Sequence, residues 1–410
     1  ISACLVGSEM CIRDSYITVR SADEGELDAN CTRLRALCAS LLLDVQPCTF
    51  RALQGWTSTL PMGVDRLRMH RSFDTQALAA AFLFVTDGLA QADDGVLYGL
   101  TTVSGGVVLW DRFTQPNYNS VILARSGAGK SYLAKLEALR SLYRGVDVLV
   151  VDPENEYERL ADSVGGAHIR LGAPGVRLNP FDLSAGPDAY THRALYIHTL
   201  VAVLLRKTID AAERASLDRA IVAAYAARGI SSDSRTHARP APTMADLAEA
   251  LQKDGADSSM ELHEQLAPFV SGSHRGLFEG PTSVAVDRHL VVFSLRDLPD
   301  ELKAAGVVLA LDFIWRRVSA SGQGRRKIVV VDEAWQLMRD PEGARYLFRL
   351  AKSARRHWCG LTVVTQDAGD LLSSDLGMAV VSNAATQILL RQAPQAIDAV
   401  GAAFRLTSGE

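Results

Sequence analysis

The feature that most constrains this sequence is a glycine-rich turn between an apolar run and a helical pattern. The turn, ARSGAGKS, covers residues 124–131 and follows the apolar residues 121–123. After it, residues 131–145 carry leucines at helical spacing. A strand, a glycine-rich turn and a helix that opens on Lys-Ser are the parts of a phosphate-binding (Walker A) loop. The sequence therefore predicts an α/β fold that binds a nucleoside triphosphate.

Each part of this turn has an expected role. Small residues let backbone N–H groups converge on phosphate oxygens at the positive end of the helix. Lys130 is expected to reach the β- and γ-phosphates of ATP, and Ser131 to bind Mg²⁺. Ala124 stands where the motif usually has its first glycine, and alanine is tolerated there unless the position needs a positive φ. The predicted nucleotide-binding residues are Ser126, Gly127, Ala128, Gly129, Lys130, Ser131, Tyr132 and Glu156.

Composition narrows the class of protein. The 410 residues are 48% hydrophobic and 22% charged, as in globular chains of two or three domains. The net charge of −4 gives no overall basic character of the kind that marks many nucleic-acid-binding proteins. The most apolar run, residues 194–205, is too short for a membrane span. Any membrane association is therefore expected to be peripheral or through a partner.

The chain divides into three parts by pattern. Residues 1–15 show no periodicity and are expected to be a non-native leader. Residues 16–110 are predicted to be a small α/β module, with a strand at 16–20, helices at 26–42 and 74–84, and a hairpin at 95–111. The third part, 111–410, alternates strands and helices, which predicts an α/β domain with a mostly parallel sheet. It is expected to carry an all-α insertion at about 186–275, to contain a capping box at Asp210 and Glu213, and to be truncated at its C-terminal end.

A second motif lies at residues 327–335, KIVVVDEAW. An apolar β-branched run that ends in two carboxylates is typical of a Walker B strand. Asp332 is expected to contact Mg²⁺, and Glu333 to act as the catalytic base on the attacking water. An intact Glu333 favours turnover over binding alone.

Three further segments have more than one interpretation. Gln366 ends the next strand, where RecA-like ATPases place a polar residue that senses the γ-phosphate. Glu156, in DPENEY, is expected near the active site, although acidic residues are also common at helix N-termini. The helical segment 343–358 carries a basic face that is solvated, touches DNA phosphates, or presents Arg355 or Arg356 to a neighbouring subunit as an arginine finger.

The combination of motifs resembles the type IV secretion and conjugative-transfer ATPases of the VirB, TrbE, TraC and CagE kind. That resemblance covers residues 16–410 and departs from the family at Ala124 and at the Arg-Arg-His run 355–357. It implies that 16–110 is the C-terminal part of an N-terminal α/β domain and that 111–410 is a RecA-like ATPase domain. It also implies a homohexameric assembly, peripheral on the cytoplasmic face of the inner membrane. Its implied partners are inner-membrane secretion components, and its implied task is to power channel or pilus assembly and substrate transfer. The motifs in chain order are ARSGAGKS, VVDPENEYERL, RLNPFDL, LFEGPTSV, VVVDEAWQLM, GLTVVTQ and SNAATQILLRQ.

Two other functions remain open. A DNA-translocating ATPase of the HerA, FtsK or coupling-protein type shares the core fold, although the module at 16–110 and the lack of a predicted membrane span disfavour it. A nucleotide-gated assembly scaffold is the second, and Glu333 weighs against it.

Overall fold

The computed structural model describes the chain except for residues 1–2, 5–9, 14–15, 41–43, 63, 70, 75–94, 103–104, 184–187, 285–287, 321–324, 336–340, 367, 373 and 408–410. It divides into two compact units, Ile1–Asp87 and Gly88–Glu410.

The first unit contains a small antiparallel sheet and two helices. The strands are β1 (Ala3–Cys4), β2 (Met10–Arg13) and β3 (Arg71–Asp74), in that order across the sheet. The helices are α1 (Glu24–Ser40) and α2 (Ala52–Thr59), and α1 confirms the helix expected at 26–42.

Three expectations for this unit have different outcomes. The strand expected at 16–20 is wrong, because these residues pair with no strand and Ile17 is exposed rather than on a buried face. The helix expected at 74–84 lies outside the described residues apart from Asp74, which ends β3. Part of the predicted leader, Met10–Arg13, forms β2 and pairs with Arg71–Asp74. Whether the leader is native stays a prediction.

The second unit opens with the expected hairpin, formed by β4 (Val96–Leu100) and β5 (Val107–Trp110). Its turn closes where Thr101 N–H donates to the carbonyl of Gly106, and Gly105 adopts a φ of +67°. Gly95 is required because a Cβ there would lie 2.7 Å from the backbone nitrogen of Trp110.

A seven-stranded parallel sheet forms the centre of this unit. Its order is β12–β6–β11–β10–β7–β9–β8. The strands are β6 (Ser120–Leu123), β7 (Asp147–Asp152), β8 (Ala167–Arg170), β9 (Leu290–Ser294), β10 (Lys327–Val331), β11 (Cys359–Thr365) and β12 (Thr386–Leu389).

Helices cover both faces of this sheet. They are α3 (Lys130–Tyr143), α4 (Glu158–Val164), α5 (Ala189–Leu205), α6 (Ala211–Ala227), α7 (Met244–Asp254), α8 (Asp257–Val270), α9 (Asp300–Ala320), α10 (Pro341–Ser353), α11 (Ala368–Leu372), α12 (Asp375–Ser382) and α13 (Ile397–Phe404). Single 3₁₀ turns lie at Arg112–Thr114, Ser234–Thr236, Arg275–Leu277, Ala354–His357 and Pro394–Ala396.

The two faces of the sheet bury two separate apolar clusters. Alternate residues of one strand enter different clusters: Leu149 and Val151 of β7 join one, and Val148 and Val150 join the other. Strands buried on both faces explain the unbroken β-branched runs in the sequence. The predicted RecA-like α/β fold is confirmed.

Helices α5 to α8 lie between β8 and β9 in the chain. Helix α6 begins at the expected capping box, in which Asp210 Oδ1 accepts from the backbone of Glu213 (2.9 Å) and Glu213 Oε2 accepts from that of Asp210 (3.1 Å). Arg193 of α5 and Asp312 of α9 form a buried ion pair with a separation of 2.7 Å, which links the two helices. Across the described ranges, no helix combines the length and apolarity needed to cross a membrane.

Candidate functional site

Polar residues converge at the carboxyl edge of the parallel sheet. The glycine-rich turn (residues 124–131) follows β6, Gln366 follows β11, Asp332 follows β10, and Asp152 ends β7. These four strands are consecutive neighbours, with β11 between β6 and β10. Because parallel strands end at one edge, the sheet brings these predicted residues to one place.

The turn after β6 has the backbone that its glycines allow. Gly127 and Gly129 have φ values of +73° and +91°, and Gly129 is the N-cap of α3. No atom lies within 4 Å of a Cβ built at either position, so conformation rather than space calls for glycine there. Ala124 is buried and donates its N–H to the carbonyl of Thr365. Its φ is not positive. Alanine therefore fits without strain, as expected.

Lys130 connects this turn to the end of β10. Its Nζ lies 3.0 Å from Asp332 Oδ1 and 2.7 Å from Glu333 Oε1. It also lies 3.5 Å from the hydroxyl of Ser131. All three charged residues are less than 10% exposed. One ammonium thus faces two carboxylates in a site that is largely shielded from water.

The pKa values in this cluster follow from burial and charge. Burial opposes the charge on Lys130, but the two adjacent carboxylates outweigh it and raise the pKa of the ammonium. Burial is the larger influence on Asp332 and raises the pKa of its carboxyl, against the opposing effect of Lys130. A neighbouring cation therefore favours the ionised form of Asp332.

A tight backbone turn directs Glu333 into the cluster. Asp332 N–H donates to the carbonyl of Val151 on β7, whereas Ala334 N–H donates to that of Val364 on β11. Between them Glu333 adopts a φ of +49°, which is uncommon for a residue with a side chain. Strained conformations of this kind cluster at functional sites.

The structure adds a contact that sequence reasoning missed. The indole Nε1 of Trp335 donates to Glu333 Oε2 at 2.7 Å. Trp335 directly follows the Asp-Glu-Ala run, but the left-handed turn that folds it back onto Glu333 has no marker in the sequence.

Glu156 lies beside Ser131. Its carboxylate is 3.3 Å from Lys135 Nζ. Partial burial would raise the pKa of Glu156, but a hydrogen bond from Ser131 and the charges of Lys135 and Lys130 lower it. The expectation that Glu156 lies near the turn agrees with this placement, and its role stays a prediction.

The other predicted nucleotide-binding residues line the open side of the turn. Ser126 and Tyr132 are exposed, and Ala128 is partly exposed with its N–H bonded to the carbonyl of Arg125. Gln366 is also exposed, at the end of β11.

Arg355 and Arg356 lie away from this cluster. Both are exposed in the 3₁₀ turn Ala354–His357, which precedes β11 and therefore lies at the amino edge of the sheet. The expected amphipathic helix is present in α10: Leu347 and Leu350 are buried, and its basic residues are exposed. Within one chain, these arginines therefore lie at the opposite edge of the sheet from the glycine-rich turn.

Comparison with known proteins gives a consistent set of relatives. Protein TraC of Escherichia coli (strain K12) is 24% identical over 294 residues, which are 67% of this chain and 32% of TraC. The type IV secretion system protein CagE of Helicobacter pylori is 28% identical over 149 residues, 35% of this chain and 15% of CagE. The chain thus spans about a third or less of these relatives.

Structural comparison extends the likeness. The solved structure of VirB4 of Thermoanaerobacter pseudethanolicus superposes with a TM-score of 0.72 at 28% identity, covering 78% of this chain and 90% of that one. These relatives confirm the resemblance to VirB- and TraC-type type IV secretion ATPases. A family model for the TraG P-loop domain matches residues 109–408, and the chain therefore belongs to that family.

Proposed function

We propose that this chain is the ATP-hydrolysing motor of a conjugative type IV secretion system, powering channel or pilus assembly and substrate transfer. The observation that carries the proposal is the placement of Lys130 Nζ at the end of the glycine-rich turn, within 3.0 Å of carboxylates from Asp332 and Glu333. The kinship with TraC, CagE and VirB4 supports the choice of system.

The donor set fits ATP with Mg²⁺. Gly127, Gly129 and the N-terminus of α3 offer backbone N–H groups to phosphate oxygens. Ser131 and Asp332 supply hydroxyl and carboxylate oxygens, the ligands that Mg²⁺ takes together with substrate phosphates. When bound, Mg²⁺ would neutralise negative charge on those phosphates. Burial raises the pKa of Asp332, and a nearby cation would favour its ionised form, which suits a metal ligand.

Each of the other predicted site residues would have its own task in ATP binding or hydrolysis. Lys130 would hold the β- and γ-phosphates and stabilise charge that develops during transfer. Glu333 would orient the attacking water and accept its proton. Gln366, which directly follows the strand between the two motifs, would contact the γ-phosphate. Tyr132, Ser126 and Ala128 would border the nucleotide.

The assembly is part of the same proposal. We assign the motor to a homohexamer at the cytoplasmic face of the inner membrane, held there by membrane components of the secretion system. Arg355 or Arg356 would then reach a neighbouring subunit's nucleotide. Their exposure at the opposite sheet edge is compatible with action on another chain.

The test is ATP turnover by the purified chain, with and without DNA. Turnover that is indifferent to DNA supports a secretion motor that works on protein partners. A many-fold rise with DNA would assign the chain to DNA translocation instead. ATP binding without turnover would leave a nucleotide-gated scaffold.

A further inference from the structure

The carboxylate of Glu333 is held from two sides. Lys130 Nζ contacts Oε1 at 2.7 Å, and the indole Nε1 of Trp335 contacts Oε2 at 2.7 Å. An indole nitrogen only donates hydrogen bonds, and a donor to a carboxylate makes a charge-assisted bond that is stronger than a neutral one. Glu333 therefore has a separate donor for each oxygen.

The two donors are not equivalent. Lys130 also contacts Asp332, and under the proposed function it serves the phosphates as well. The indole ring of Trp335 has one N–H, and that group donates to Glu333. The indole contact thus remains available to Glu333 when Lys130 binds phosphate.

The backbone explains why such a contact matters. The left-handed conformation of Glu333, φ +49°, is unfavourable for an L-residue and directs the side chain out of the strand's usual alternation. A glutamate side chain has several rotatable bonds, and a base acts only when it lies within hydrogen-bond reach of its water. Something must therefore fix the carboxylate after the turn.

We infer that Trp335 is the positioning residue for Glu333, its indole N–H fixing the carboxylate in the orientation that the attacking water requires. The inference rests on the proposed function, because it assumes that Glu333 is the base of ATP hydrolysis. Trp335 itself takes no proton.

The primary test replaces Trp335 with phenylalanine in the full chain, which keeps an aromatic ring and removes the donor. Small displacements of a catalytic group cost up to about 10²-fold in rate, so kcat should fall at least about tenfold. The KM for ATP and the Kd of a fluorescent ATP analogue should stay within about twofold, since the phosphate-binding groups are unchanged.

Trp110→Phe is the matched control. Trp110 Nε1 donates to the hydroxyl of Thr386 at 3.0 Å, so this variant also loses one indole hydrogen bond. Thr386 begins β12, at the amino edge of the sheet away from Lys130. Its kcat should remain within about twofold of wild type, the scatter expected of a remote site.

A double variant separates positioning from a general structural role. In a Glu333→Gln background, Trp335→Phe should lower the residual rate by less than about twofold, because residues that act through one another are not additive. If Trp335→Phe instead lowers the residual rate as much as it lowers the wild-type rate, Trp335 acts without Glu333 and the inference is overturned. It is also overturned if Trp335→Phe alone keeps kcat within about twofold.

A separate result would show that the proposed ATPase mechanism itself is wrong. If Glu333→Gln turns over ATP as fast as wild type, the base assignment fails with Trp335 intact, and this inference falls with it. Thermal unfolding of each variant checks the fold. Should Trp335→Phe unfold, Trp335→Leu, which also lacks a donor, takes its place with the same expected outcomes.

Discussion

The ammonium of Lys130 and the carboxylate of Glu333 form a buried ion pair, 2.7 Å between Nζ and Oε1. The pair joins the first turn of α3 to the end of β10, across the intervening strand β11. Since Asp332 shares the same ammonium at 3.0 Å, one cation balances two carboxylates. The stability of the site therefore depends on this lysine, and so does the chemistry that we propose for the site.

Lys130→Ala should destabilise the fold strongly. Removing one partner of a buried ion pair costs about 3–5 kcal/mol, because the remaining charge stays desolvated. Lys135→Ala is the control: its partly exposed pair with Glu156 should contribute less than about 1 kcal/mol. Urea unfolding at pH 7 measures both losses, and equal losses would contradict the burial argument.

The destabilisation by Lys130→Ala should shrink as the pH falls. Burial already raises the pKa of Asp332, and without Lys130 only the backbone N–H of Glu333 still opposes that effect. The folded variant then binds more protons than the unfolded chain, so its free energy of unfolding rises as pH falls. Urea midpoints for variant and wild type should move closer together as the pH is lowered from neutral; a gap that widens instead would refute the argument.

Gly129→Ala should weaken nucleotide binding at least about tenfold. A φ of +91° is costly for alanine, by about 1–2 kcal/mol, and relaxing it would tilt the N–H groups of the turn. Ala124→Gly, the matched change toward the usual motif, should alter Kd by less than about threefold, because Ala124 is already unstrained. Titration with a fluorescent ATP analogue compares them. Similar affinities for the two variants would mean that the backbone of the turn does not govern binding.

Asp312→Ala should be among the most destabilising changes outside the site. Asp312 is buried with Arg193 at 2.7 Å and Arg316 at 3.2 Å, so its loss leaves buried positive charge, at about 3–5 kcal/mol. Arg228→Ala breaks a more exposed pair with Asp246 and should cost less than about 1 kcal/mol. Chemical denaturation distinguishes the two, and a small loss for Asp312→Ala would show that the pair does not hold α5 to α9.

Cys359 should resist alkylation in the folded protein. Burial at the start of β11 raises the pKa of its thiol to about 12, so the reactive thiolate is scarce at pH 8. Exposed Cys48 should react readily with iodoacetamide. Peptide mass spectrometry after brief labelling gives the ratio, and guanidinium should abolish the difference. Fast labelling of native Cys359 would show that β11 opens.

Most of the elements that the sequence predicted correctly are specified by local sequence patterns. The run at 327–331, the glycine-rich turn and the Asp210–Glu213 capping box each specify their element through neighbours in the chain, and all three are present. Alternation at 16–20 failed because a strand also needs a partner for its backbone groups, and none is formed there.

Other features needed the tertiary structure. No local sequence pattern predicts that β11 lies between β6 and β10. This strand order places Gln366 beside the turn that contains Lys130. The contact between Trp335 and Glu333 depends on a left-handed residue that is not glycine, for which the sequence has no signal.

The central claim is that Glu333 is the catalytic base of an ATPase, and the most direct measurement is the kcat of Glu333→Gln beside wild type, with the Kd of a fluorescent ATP analogue for each. Losing a general base costs about 10²–10⁴ in rate. The account predicts a fall in kcat of that size with nucleotide binding retained. A variant that binds ATP and turns it over near the wild-type rate would contradict it.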